Sequence, residues 1–145
     1  MINTYTCITP EETFQLGENI GKTLSGGEAL LLSGGLGAGK TLLTKGILNA
    51  LRYDIDEVTS PSFTLVNLYK AEQDIYHIDL WRLDDAGNNA KAVGLDEILE
   101  DERAIVIVEW AEKLGDFSFP GKVFRITIEG DGDDPRNISI SEEQP

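Results

Sequence analysis

Residues 34–41 of this chain read GGLGAGKT and satisfy the pattern G-x-x-x-x-G-K-[ST]. No other segment restricts the fold so much. Glycines let the backbone turn with positive φ, so successive N–H groups can face inward. A helix that starts near Gly39 adds its own free N–H groups to that anion cradle. Lys40 then sets a point charge on the outer phosphates of a bound nucleotide, ATP or GTP. The Thr41 hydroxyl offers Mg²⁺ a hard oxygen ligand. The flanks agree with this reading. Ala29, Leu30, Leu31 and Leu32 form a continuous apolar run, as in a strand buried on both faces. Residues 41–51 carry Leu42, Leu43, Ile47, Leu48 and Leu51 on one helical face.

The rest of the chain alternates strand and helix signals. Residues 2–8 predict a strand. Thr9, Pro10 and Glu12 then open a helix, with Thr9 as the cap, proline at the first helical position and Glu12 closing a capping box. Phe14, Leu16, Ile20 and Leu24 follow at helical spacing, and residues 25–27 (SGG) stop it. Residues 63–69 and 75–83 predict an antiparallel hairpin around the polar turn 70–74. Residues 84–91 read as a loop and 95–99 as a short helix. The run AIVIV (104–108) reads as a second buried strand, ending in Glu109 and Trp110. Strands at 123–128 and 137–140 close the chain around an acidic turn, and residues 141–145 are expected to fray. The expected architecture is one α/β P-loop NTPase domain over residues 1–140, three-layered, with a mixed central sheet.

A phosphate loop needs a carboxylate at the end of a neighbouring buried strand to hold magnesium. Glu109 and Asp79 are the candidates. Glu109 is assigned to the metal with Thr41, and Asp79 to the attacking water, though the residues alone leave these roles interchangeable. Alternation sets Tyr76, Ile78 and Leu80 on one side of their strand and His77, Asp79 and Trp81 on the other. His77, the only histidine, reads as packed in the strand; Trp81 reads as core. Trp110 is the better candidate for a functional contact. Thr59, Ser60, Ser62 and Thr64 surround Pro61 in a hydroxyl-rich loop suited to sensing a γ-phosphate and its metal.

Charge and composition exclude other classes. Twelve Lys and Arg against 26 Asp and Glu leave a formal charge of −14. Such a surface repels a phosphate backbone, so direct binding of RNA or DNA is not expected, and a partner protein would have to hold any nucleic acid. One cysteine, Cys7, permits no internal disulfide and reads as a small buried hydrophobe. No apolar run approaches the roughly 20 residues of a membrane span, and the opening residues lack a signal-peptide pattern. A cytoplasmic protein is expected.

The strings LSGGLGAGKT, TSPSFTLVNLY, YHIDLWRL and IVEWAEKL, in this order, resemble the TsaE (YjeE) family, small bacterial ATPases of tRNA threonylcarbamoyladenosine (t6A) biosynthesis. The resemblance runs from Thr9 to Arg136. It implies a weak Mg²⁺-dependent ATPase that depends on two partners, TsaB and TsaD, which carry the threonylcarbamoyl transfer to adenosine 37. It implies that Leu36, Gly37, Ala38, Gly39, Lys40, Thr41 and Leu42 bind ATP, and that Thr41 and Glu109 hold Mg²⁺. Asp79, Glu109 and Lys40 are then the hydrolytic residues. Ser60, Ser62 and Thr64 are switch-like, and Trp110 lies near the nucleotide or the partner. Thr9 and Glu11, in the loop after the first strand, and Arg136 approach the base. The chain departs from the family pattern in Ser62 for Thr, in Trp81 for Tyr, and in an aspartate-rich turn, GDGDDPR, before Arg136.

A small-molecule kinase is the alternative. Its basic lid is poorly served by residues 84–103, which hold just two cations, Lys91 and Arg103. A GTP-dependent switch would need a guanine-reading N-K-x-D sequence, which the chain lacks.

Overall fold

A computed structural model describes residues 2–35, 39–53, 65–84 and 88–144. Seven strands form one sheet: β1 (Ile2–Cys7), β2 (Ala29–Gly34), β3 (Val66–Lys70), β4 (Asp74–Asp79), β5 (Ile105–Glu109), β6 (Val123–Glu129) and β7 (Arg136–Glu143). Their spatial order is β1-β7-β6-β2-β5-β4-β3. The central strands β6, β2, β5 and β4 are parallel, and the flanking β1, β7 and β3 pair antiparallel. The sheet is therefore mixed, as the hairpin signal predicted.

Among the described residues four helices cover it: α1 (Pro10–Gly21), α2 (Lys40–Ala50), α3 (Asn89–Ala92) and α4 (Leu95–Ile98). Strand alternation divides the core between two faces. On one side Leu30, Leu32, Ile105 and Ile107 pack with Leu16 and Ile20 of α1 and Leu43, Ile47 and Leu48 of α2. On the other, Leu31, Val106, Val108 and Ile78 pack with Ala90, Val93 and Leu95 of the short helices. The result is a three-layer domain in which the ALLL run of β2 and the AIVIV run entering β5 are buried on both faces, as the apolar patterns require.

The two long helices touch backbone to backbone. A Cβ on Gly46 would stand 2.1 Å from Phe14 O, and one on Gly17 would stand 2.3 Å from Leu43 O. Only glycine fits these positions. This close approach fixes α2, and with it Lys40 and Thr41, against α1.

Several boundaries differ from those read in the sequence. Helix α1 opens as expected, with Glu12 N donating to Thr9 Oγ1 at 3.2 Å, while Glu12 Oε2 accepts from Ile8 N at 2.7 Å. It stops at Gly21, before the SGG signal, because Thr23 N and Thr23 Oγ1 both take up Ile20 O and tighten the last turn. Strand β4 ends at Asp79, not at residue 83. The Asp79 carboxylate accepts from Trp81 N at 2.9 Å and turns the chain, which removes Trp81 from the strand face it was assigned to. Helix α3 lies where a loop was expected. Its cap is Asn88, and the buried Asn89 amide bridges Asp84 O and Lys113 O at 2.8 and 2.7 Å. Finally, Ser141, Glu142 and Glu143 do not fray: they pair with Arg125, Phe124 and Val123 of β6.

Candidate active site

The site lies at the C-terminal ends of β2, β5 and β4. Strand β2 ends at Gly34, and Gly39, at φ 108°, caps α2 in a left-handed conformation that favours glycine. Leu36, Gly37 and Ala38 lie outside the described residues. Sheet register then sets the acids. Leu32 of β2 pairs with Glu109 of β5, and Glu109 pairs with Asp79 of β4. Both carboxylates are buried, at 3% exposure each. Alternation along β4 and β5 turns Asp79 and Glu109 toward the α2 side of the sheet, with Ile75, Ile105 and Ile107. Residues 30 positions apart in sequence become neighbours through a parallel crossover.

Lys40 is buried beside them. Its ammonium donates to Gly34 O and Gly35 O, both at 2.8 Å, and lies 4.3 Å from the centre of the Trp110 ring. Burial pushes its pKa below the ordinary lysine range, against opposing pulls from Glu109, Glu112 and Asp79. Thr41 follows in the first turn of α2, half-buried.

Trp110 itself has φ 59°, a left-handed conformation that a bulky side chain rarely adopts. It leads into a 3-10 turn, Ala111–Leu114. The ring packs at 4.8 Å on Trp81, which is 39% exposed, and Lys113 pins the pair by donating to Trp81 O and Leu83 O at 2.9 Å. Trp81 is thus a partly exposed surface aromatic, not core.

A cavity of about 300 Å³ opens on the far side of Gly39. Thr9 and Pro10 form one wall, Gly39 and Leu42 another, and Gly132 and Arg136 a third. Arg136 donates to Asp134 O and Gly132 O at 2.5 and 3.0 Å and so shapes the aspartate-rich turn. The structure therefore brings Thr9, Gly39, Leu42 and Arg136 together. Glu11 is exposed and does not line this cavity. Ser60, Ser62 and Thr64 lie outside the described residues.

Sequence reasoning undervalued His77. It is fully buried, and its Nε2 lies 2.5 Å from Glu109 Oε2. The signal was present: His77 and Asp79 share a strand face two residues apart. What was missing was that β5 lies beside β4.

The profile of the family described as threonylcarbamoyl adenosine biosynthesis protein TsaE matches residues 7–138. The chain belongs to the TsaE family. A Bacillus subtilis tRNA threonylcarbamoyladenosine biosynthesis protein TsaE is 33% identical over 135 residues, covering 92% of this chain and 82% of the relative. The Mycobacterium tuberculosis protein of the same name is 38% identical over 116 residues, covering 73% and 67%. The crystal structure of Bacillus subtilis YdiB superposes with a TM-score of 0.75 at 29% identity, covering all of this chain and 87% of that one. The fold is that of the P-loop NTPases.

Proposed function

We propose that this TsaE-family chain is a Mg²⁺-dependent ATPase of t6A biosynthesis, weak alone and driven by TsaB and TsaD. One observation carries the reading: Lys40, Glu109 and Asp79, far apart in sequence, converge behind the glycine-rich loop. Lys40 is already solvated by two loop carbonyls, and a nucleotide's phosphates replace them with stronger, charge-assisted partners. The cavity at Thr9, Leu42 and Arg136 has room for the base.

The donor set suits magnesium. The Thr41 hydroxyl and the Glu109 carboxylate are both hard oxygens, and no group of three His, Cys, Asp or Glu that could hold a metal occurs among the described residues. Magnesium is typically held by one or two protein oxygens together with phosphates and water, which matches so sparse a set. Held by Thr41 and Glu109, magnesium would supply positive charge to the phosphates of the nucleotide. Asp79 orients the attacking water and accepts its proton. With its charge of −14, the chain leaves tRNA to its partners. Among the described residues no helix is long and apolar enough to cross a membrane.

The test is ATP hydrolysis with and without purified TsaB–TsaD, on the wild type and on Glu109→Ala. The partners should raise the rate, and the substitution should remove roughly 100-fold or more of it. No response to the partners, with a small metabolite phosphorylated instead, would replace this reading with the kinase.

A further inference from the structure

Glu109 is the end of a hydrogen-bond chain. A carboxylate only accepts, so the His77 ring donates to Glu109 Oε2 from Nε2, at 2.5 Å. The other ring nitrogen, Nδ1, lies 3.3 Å from the Tyr69 hydroxyl. Tyr69 O in turn lies 3.3 Å from Asn67 Nδ2, which donates to it. With its proton on Nε2, the ring has an acceptor at Nδ1, and the Tyr69 O–H donates there. Every bond then runs one way, from Asn67 through Tyr69 and His77 to Glu109.

Sheet register builds this chain. Asn67 pairs with His77 across β3 and β4, and Tyr69 follows on the same face of β3. His77 pairs with Ile107, two residues before Glu109 on the same face of β5. Tyr69 and His77 are 4% and 0% exposed, and the Glu109 side chain is 4% exposed. Among the described residues, the side-chain hydrogen bond to the Glu109 carboxylate is the one from His77, and it falls on Oε2.

We propose that His77, keyed by Tyr69, is a positioning residue that fixes the Glu109 carboxylate, committing Oε2 to the ring and leaving Oε1 for the metal. This rests on the function proposed above. The buried ring acts through Glu109. Glu109, which only accepts, requires the proton on Nε2, and the Tyr69 O–H donating to the bare Nδ1 supports that tautomer and holds the ring against the carboxylate. Outer partners of metal ligands contribute about 10- to 100-fold in metal affinity or activity.

Two measurements test it. His77 is the only histidine, so its ring signals in ¹⁵N-edited NMR need no assignment. The wild type should show one slowly exchanging ring proton on Nε2 and a bare Nδ1. Tyr69→Phe should shift the Nδ1 signal while the proton stays on Nε2, because Glu109 still accepts from it. A ring proton on Nδ1, or on both nitrogens, overturns the proposal. The second measurement is the Mg²⁺ dependence of ATP binding by calorimetry. Tyr69→Phe and His77→Leu should each raise the Mg²⁺ needed by about tenfold. His77→Gln, whose amide still donates, should stay near wild type. Binding of ATP without Mg²⁺ should not change, which separates positioning from loss of structure. If His77→Leu does not fold, Tyr69→Phe decides. Unchanged Mg²⁺ dependence in Tyr69→Phe overturns the proposal. A wild type that binds ATP with no response to Mg²⁺ sinks the proposed function instead, and the NMR result still decides the chain of bonds.

Discussion

Lys40 Nζ sits 4.3 Å above the centre of the Trp110 ring while donating to Gly34 O and Gly35 O. The ammonium is held by its own loop and by the negative face of an indole. A bound phosphate would draw it away, so nucleotide binding should alter the surroundings of Trp110. In Trp81→Phe, Trp110 is the single remaining tryptophan. Its fluorescence should change saturably with added ATP, and Lys40→Met should abolish the change. Steady emission while calorimetry reports binding would disprove the link.

Removing Glu109 has a structural cost besides its effect on hydrolysis. Glu109→Ala leaves the His77 Nε2–H buried without its acceptor. That costs about 1–3 kcal/mol, several degrees of melting temperature in a domain of this size. Glu109→Gln retains an acceptor oxygen and should lose less. Thermal unfolding of the two variants checks the order, and equal melting points would contradict it.

Gly46 lies inside α2, where alanine would ordinarily favour the helix by about 1 kcal/mol. Here its Cβ would meet Phe14 O at 2.1 Å, and backbone cannot swing aside like a side chain. Overpacking costs about 1–3 kcal/mol and outweighs the propensity gain. Gly46→Ala should therefore be destabilised in urea unfolding. A stabilised variant would mean that α1 and α2 are not so close.

Cys7 lines the cavity assigned to the base, and burial raises its thiol pKa, with Glu12 adding to the shift and a hydrogen bond with Thr13 opposing it. A raised pKa means less thiolate at pH 8, and thiolate is the reactive form. Alkylation by iodoacetamide should be slower than for a free cysteine and should speed up as pH rises. Saturating ATP should slow it further. Mass spectrometry follows the single thiol. A rate indifferent to ATP would remove the base from this cavity.

Much of the fold was legible because its signals are local. The capping box at Thr9 and Glu12 and the apolar runs of β2 and β5 depend on residues a few positions apart. Misread boundaries arose where a side chain redirected the backbone, as the Asp79 carboxylate does at Trp81 N and the Thr23 hydroxyl does at Ile20 O. Such bonds compete with the regular ladder at an energy that residue patterns do not rank. Helix α3 was missed because its buried Asn89 is held by Asp84 O and Lys113 O, the second of them distant in sequence.

By itself, the sequence determined the phosphate-loop motif, the alternating faces of β4 and the candidacy of Lys40, Thr41, Asp79 and Glu109. Those features rest on periodicity and on short-range backbone chemistry. Only the tertiary structure decided that β5 runs between β2 and β4, so that Glu109 meets Leu32 on one side and Asp79 on the other. It alone joined His77 to Glu109 and closed Lys40 onto Trp110. Strand order and register come from crossovers and from packing on both faces of the sheet, which are properties of the whole chain.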